Sequence, residues 1–169
     1  MKSSLIIAVF LIILIQQPLS AQTETMPATP SEEEMLVGKV TREQLQTGDF
    51  GKYFMYNYTN YAPDQQVIDE LKNKIYSYDI VIVLGTWCSD SHRDVPRFYK
   101  ILDKLKYNAN TIQVYCIDRE KTAGDIDISN LNIERIPTFI FIKDGVEKGR
   151  IVESPKNTLE KDMLEIMNN

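Results

Sequence analysis

Residues 79–92 read Asp79-Ile80-Val81-Ile82-Val83-Leu84-Gly85-Thr86-Trp87-Cys88-Ser89-Asp90-Ser91-His92. The run from Ile80 to Val83 is β-branched and apolar throughout, the pattern of a strand covered on both faces. Beyond it, Val95, Phe98, Ile101, Leu102 and Leu105 mark one face of a long helix. Cys88 therefore stands where a buried strand gives way to a helix N-terminus. There the orphan backbone N–H groups and the helix dipole favour thiolate over thiol, the setting of a nucleophilic cysteine. Pro96 lies inside the helix pattern, removes one backbone hydrogen bond and is expected to kink it.

Downstream of this unit, Thr111 to Ile117 reads as a second strand, parallel to the first if the helix between them is a right-handed crossover. Residues 119–132 are polar and are expected to hold a short helix or turn. Ile136-Pro137 precedes a third strand, Thr138 to Ile142, and Asp144-Gly145 marks a tight turn into Gly149-Arg150-Ile151-Val152. Asn157 to Met167 closes the chain as a helix with Leu159, Met163 and Met167 on one face. The order is βαβ, a connector, then ββα. It predicts an α/β fold on a central mixed four-stranded sheet.

Upstream, Pro63-Asp64 opens a helix with Val67, Leu71 and Ile75 on one face. Thr41-Arg42-Glu43-Gln44 has the form of a capping box and predicts a short helix from Thr41 to about Gly48. Between them, Phe54, Tyr58 and Tyr61 fall at helical spacing and form a stripe expected to dock on the core. Asn57-Tyr58-Thr59 fits a glycosylation sequon, but burial of the stripe argues against its use. Residues 36–76 are thus read as a helical extension and residues 77–169 as the α/β domain.

Met1 to Ala21 carries one positive charge, Lys2, an apolar run from Leu5 to Ile15 and a small residue at its end. That is the form of a cleavable secretory signal, and the run is too short to span a bilayer. Residues 22–35, rich in Thr, Pro, Ser and Glu, read as a disordered tether. The expectation is an exported protein, periplasmic or extracellular, with no membrane attachment after cleavage. Without its first 21 residues the chain keeps 18 basic against 24 acidic side chains, a formal net charge of −6. This balance argues against nucleic acid and anionic membrane surfaces as partners. A monomer is expected. Two cysteines, Cys88 and Cys116, are too few for a disulfide scaffold and match no zinc spacing.

The order of elements and four local features together resemble the thioredoxin-like superfamily over about residues 78–168. Trp87-Cys88 matches the start of the Trp-Cys-x-x-Cys motif, Pro96 the proline of the following helix, Ile136-Pro137-Thr138 the cis-proline loop, and Lys143-Asp144-Gly145 the hairpin after it. The resemblance implies a three-layer fold. More narrowly, the chain is similar to exported bacterial thioredoxin-like proteins with Trp-Cys-x-Asp-Ser in place of Cys-x-x-Cys, a helical extension and a segment like Gly149 to Glu153. It also implies that Trp87, Ile136 and Pro137 bind substrate beside Cys88. Two departures matter. Ser91 stands where the resolving cysteine would be, and Ile82 where thioredoxins bury an acid.

With one thiol in the motif, a mixed disulfide on Cys88 cannot be resolved from within it. Cys88 and Ser91 are the candidate catalytic pair, the Ser91 hydroxyl being one helical turn away and able to donate to the thiolate. Asp90 opposes the anion by like-charge repulsion, and His92, four residues from Cys88, is read as a solvated group that tunes the thiol. His92 is the single histidine, so no metal site and no cofactor are expected. Cys116 is read as a small buried strand residue; pairing it with Cys88 would need Cα atoms within about 7 Å. Two functions follow. One is thiol-disulfide exchange through Cys88, with protein or low-molecular-weight thiols and disulfides as partners. The other is a non-catalytic module that holds a protein or peptide.

Overall fold

The computed structural model describes residues 35–169; the expected signal segment and almost all of the expected tether lie outside the described residues. The elements in chain order are β1 (Gly38–Lys39), α1 (Arg42–Leu45), α2 (Gly48–Asn60), α3 (Gln65–Leu71), β2 (Asp79–Leu84), α4 (Ser89–Leu105), β3 (Gln113–Cys116), β4 (Thr138–Lys143), β5 (Val146–Val152) and α5 (Leu159–Asn168). They build one mixed sheet in the order β1-β3-β2-β4-β5. β2 and β3 run parallel, with Leu84 opposite Cys116, while β2–β4 and β4–β5 are antiparallel. The sheet has five strands where the sequence pattern predicts four. The fifth, β1, pairs antiparallel with β3, and at two residues it is too short to carry an alternation in the sequence.

Alternation along the strands sorts the core into two faces. Ile80, Ile82 and Leu84 of β2, Val114 and Cys116 of β3, and Phe139 and Phe141 of β4 point into one cluster. Against it pack Val95, Phe98, Ile101, Leu102 and Leu105, the predicted face of α4, with Leu159, Met163 and Met167 of α5. Phe98 stacks on Phe139 with centroids 4.5 Å apart. The opposite face presents Val81, Val83 and Ile140 and is covered by Ile117, Ala123, Ile128, Leu131 and Ile133 of the β3–β4 connection. That layer contains a 3-10 turn at Ser129–Leu131 and no α-helix.

The extension belongs to the first cluster. Leu45, Phe50, Phe54, Val67, Ile68, Leu71 and Ile75 are all buried in it. The capping box at Thr41 forms both of its hydrogen bonds, as its spacing predicts. Asp64 caps α3 by accepting from Gln66 and Val67 N–H, and the α-helix ends at Leu71, with Ile75 reached through a 3-10 turn. Phe54 stacks on Tyr58 and packs against Tyr99 of α4. The Arg42 guanidinium forms a two-pronged ion pair with Asp103 of α4 at 2.6 and 2.7 Å, and Tyr58 Oη donates to the same carboxylate. The aromatic stripe thus docks on α4. At the other end of the sheet, Asp144 and Gly145 take φ of 54° and 74°, the left-handed pair that an Asp-Gly hairpin turn requires.

Candidate functional site

The site lies at the carboxyl end of β2. Gly85 has no room for a side chain: a Cβ there would come within 2.8 Å of both the Trp87 indole and Ile136 Cδ1. The missing methyl lets Trp87 and Ile136 close over the end of the strand. Trp87 is fixed from the other side, its Nε1–H donating to the Ile117 carbonyl at 3.0 Å. Cys88 N–H donates back to Gly85 O, and Cys88 O accepts the first helical bond from His92 N–H. Cys88 is the N-cap of α4, half-buried, and its side chain makes no capping hydrogen bond. Sγ instead faces the Ile136 carbonyl at 3.6 Å.

Ile136-Pro137 is a cis peptide, and both residues are buried. Thr138 Oγ1 donates to Arg135 O across it. Pro137 O accepts from Glu153 N–H at 2.7 Å, and the Glu153 carboxylate pairs with Arg135 at 2.8 Å. The segment Gly149 to Glu153 thus braces the proline loop. Arg150 adds to this by donating to Leu131 and Asn132 carbonyls at the end of the β3–β4 connection. The structure therefore brings Trp87, Cys88, Ile136 and Pro137 together.

Ser91, Asp90 and His92 are placed differently. Ser91 is fully buried, and its Oγ accepts from Gly85 N–H at 3.4 Å. It ties the strand end to the first turn of the helix and makes no hydrogen bond to Sγ. Asp90 pairs with Arg93 at 2.8 Å, so its charge is shared with a guanidinium one turn on. Arg93 also reaches Asp94, which is 1% exposed, and Ser154 Oγ. This links the cysteine-bearing helix to the segment that braces Pro137. Asp94 and Arg93 carry no period or motif that marks them in the sequence.

His92 is packed where the sequence suggests solvent. Its Nε2–H donates to the Thr86 carbonyl at 2.5 Å, which fixes the tautomer. The ring stacks on Tyr53 of α2, with centroids 4.0 Å apart and planes 6° apart, and meets Phe50 edge-on at 5.4 Å. Asn57 Nδ2 donates to His92 O at 3.0 Å, which also occupies the asparagine of the sequon. The contacts of this ring are with α2 and the Thr86 carbonyl rather than with the sulfur. Thr86 Oγ1 in turn accepts from Leu36 N–H. The extension thus grips the β2–α4 turn from two sides.

Cys116 lies in the helix-covered cluster beside Leu84, whereas Cys88 packs with the cluster on the other face. Both are free thiols. Burial pushes the Cys116 thiol up to about 12, which makes it inert as an attacking group at neutral pH. Among the described residues no group of three or more His, Cys, Asp or Glu side chains is arranged to hold a metal ion.

The family model described as thioredoxin matches residues 51–165. The chain belongs to the thioredoxin family. The match takes in most of α2, all of α3 and strands β2 to β5, so Tyr53 and Asn57, which hold His92, lie within it, while β1, Leu36 and Phe50 lie before it. A thioredoxin-like protein of Acanthamoeba polyphaga mimivirus is 29% identical over 86 residues, 51% of this chain and 60% of that protein. The chain thus spans less than two thirds of that relative. Among solved structures, a Pseudomonas aeruginosa protein of unknown function aligns at 17% identity, TM-score 0.49, over 70% of this chain and 81% of its own. A Schistosoma mansoni thioredoxin aligns at 27% identity, TM-score 0.37, over 62% and 91%.

Proposed function

We propose that this thioredoxin-family protein catalyses thiol-disulfide exchange through Cys88 alone, after export from the cytoplasm. One observation carries the reading: Cys88 Sγ sits half-buried at the N-cap of α4, 3.6 Å from the carbonyl that precedes a cis proline, with serine in place of a second thiol. In the first step the Cys88 thiolate attacks a substrate disulfide R–S–S–R′. The Cys88–S–S–R bond forms, the S–S bond of the substrate breaks, and R′–S⁻ leaves. In the second step an external thiolate R″–S⁻ attacks the substrate sulfur. Cys88 thiolate departs, and R–S–S–R″ carries away the oxidising equivalent. The exchange is balanced without any other oxidant or reductant. Ser91, engaged with Gly85, supports the turn rather than either sulfur transfer. Trp87, Ile136 and Pro137 form the wall against which the substrate lies.

The secretory pattern of Met1 to Ala21 supports export, and no helix among the described residues is long and apolar enough to cross a membrane. The substrates on this reading are protein or low-molecular-weight disulfides and thiols. The test is to trap disulfide-linked partners in the source cells on the native protein and on Cys88→Ala. Partners captured covalently by the native chain and lost from Cys88→Ala are the expected result. An identical set recovered with Cys88→Ala would make the chain a binding module. N-terminal sequencing of the recovered protein is expected to begin at Gln22, and retention of residues 1–21 would overturn processing by signal cleavage.

A further inference from the structure

With serine at position 91, turnover depends on what outside thiol reaches Cys88, and the charges around the motif bear on that choice. Three arginines stand near it. Arg93 is occupied by Asp90, Asp94 and Ser154. Arg135 is held by Glu153. Arg119 is exposed and, among the described residues, has no ion pair. Of the acids beside it in sequence, Asp118 accepts from Thr122 N–H and Oγ1, and Glu120 forms no ion pair among the described residues.

Arg119 is nonetheless held in place. Its guanidinium carbon lies 4.8 Å from the centre of the Trp87 ring, and Trp87 is itself pinned to Ile117 O and wedged over Gly85. A guanidinium resting on an indole face gains a cation–π contact that uses none of its N–H donors. Those donors match a carboxylate in a two-pronged geometry. They stand beside the residue that precedes Cys88. The chain as a whole is acidic, with a formal net charge of −5, so an anion meets general repulsion and a local attraction at Arg119.

We infer that Arg119, seated on Trp87, selects thiols that carry a carboxylate near the sulfur as the partners that release Cys88 from its mixed disulfide. The inference rests on the exchange reading above. In the step concerned, the carboxylate of R″–S⁻ docks on Arg119 while its sulfur attacks the substrate sulfur of Cys88–S–S–R. The Cys88 thiolate leaves and R–S–S–R″ forms. The carboxylate can belong to a small free thiol or to an acidic residue next to a peptide cysteine, and the chemistry at Arg119 is the same.

The test starts from the full chain converted to its Cys88 mixed disulfide with 2-mercaptoethanol. Recovery of the free Cys88 thiol, with the 2-mercaptoethanol group leaving as its disulfide with the added thiol, is timed with 3-mercaptopropionate, 2-mercaptoethanol and cysteamine, and with the peptide thiols Glu-Cys-Glu and Gln-Cys-Gln. Each rate is divided by that thiol's rate against a small mixed disulfide in free solution, which removes intrinsic reactivity. The expected result is a normalised preference of about 3–10-fold for the carboxylate over the neutral thiol in at least one of the two sets, shrinking with added salt. Cysteamine is expected to be slowest in the small set. Arg119→Gln should bring the preference to about one, Arg119→Lys should restore part of it, and Lys148→Gln, an equal loss of charge on β5, should leave it intact. A preference confined to the small thiols or to the peptides identifies the source. Equal normalised rates in both sets, or a preference that survives Arg119→Gln, overturns the inference while leaving exchange through Cys88 standing. Failure of every thiol to release Cys88 overturns both.

Discussion

The His92 imidazole lies flat against the Tyr53 phenol ring, centroids 4.0 Å apart, while its Nε2–H holds the Thr86 carbonyl. Two residues 39 positions apart thus fix the turn that presents Cys88. Tyr53→Ala removes the stack and leaves the hydrogen bond; it is expected to cost about 1 kcal/mol in chemical denaturation, since Tyr53 is partly exposed. His92→Leu removes both and should cost about 2 kcal/mol, because the Thr86 carbonyl loses its donor. Both should also slow mixed-disulfide formation at Cys88 measured under conditions where the variants remain folded. An unchanged exchange rate in His92→Leu would show that the turn keeps its shape without this contact.

Gly85 is the point where Trp87 and Ile136 meet. A Cβ at this position falls 2.8 Å from atoms of both side chains, so Gly85→Ala forces one of them aside. Overpacking of this kind costs about 1–3 kcal/mol. Trp87 is the single tryptophan of the chain, so its fluorescence reports the displacement directly. A shifted emission maximum, a lower denaturation midpoint and slower exchange are expected together. Full retention of all three would mean that Trp87 and Ile136 repack freely around the methyl.

How far this site is legible in the sequence depends on whether its parts are local. Strand β2, the buried face of α4, the Thr41 capping box and the Asp144-Gly145 turn each follow from residues a few positions apart, because period and turn chemistry are short-range properties. The cis peptide at Ile136-Pro137 follows from the family resemblance, since proline alone does not select it. What escapes is non-local. His92 reads as solvated because the rings that cover it are distant in sequence; Tyr53 and Phe50 arrive from another helix. Ser91 reads as a donor to the thiolate because spacing along a helix gives proximity but not direction, and its hydroxyl turns inward to Gly85 N–H. Arg119 lies in a polar connector, and its seat on Trp87 exists only after the sheet forms.

The Arg42–Asp103 pair joins the extension to α4 and gives an acid dependence. Burial opposes ionisation of Asp103, but hydrogen bonds from Arg42 and Tyr58 and the Arg42 charge outweigh it, and its carboxyl is held below the usual value of 3.8. A carboxyl lowered in the folded state contributes stability above its unfolded value and loses it as pH falls toward the folded one. Stability from this pair is therefore expected to decline below about pH 4. Asp103→Asn should cost about 1–2 kcal/mol at pH 7, because Arg42 keeps its aromatic seat but loses its counter-charge. The difference between native and variant should narrow in denaturation series run down to pH 2. A constant difference across that range would place the loss in packing rather than in charge.

Cys116 gives the complementary dependence at high pH. Burial raises its thiol from the ordinary 9.0 to about 12, so the folded chain holds a proton that the unfolded chain releases earlier. Stability from this group is fully present below pH 9 and is lost as pH rises toward 12, since the unfolded state then binds fewer protons. The same burial separates the two thiols by reactivity. Iodoacetamide at pH 8 is expected to add one carbamidomethyl group to the folded chain, mapped to Cys88, and two in 8 M urea. Replacing Cys116 with valine, which keeps the site apolar, should flatten the decline above pH 9 and leave the single native modification in place. Two groups added to the folded native protein at pH 8 would mean that β3 opens readily enough to expose Cys116, and would reopen it as the resolving thiol for Cys88.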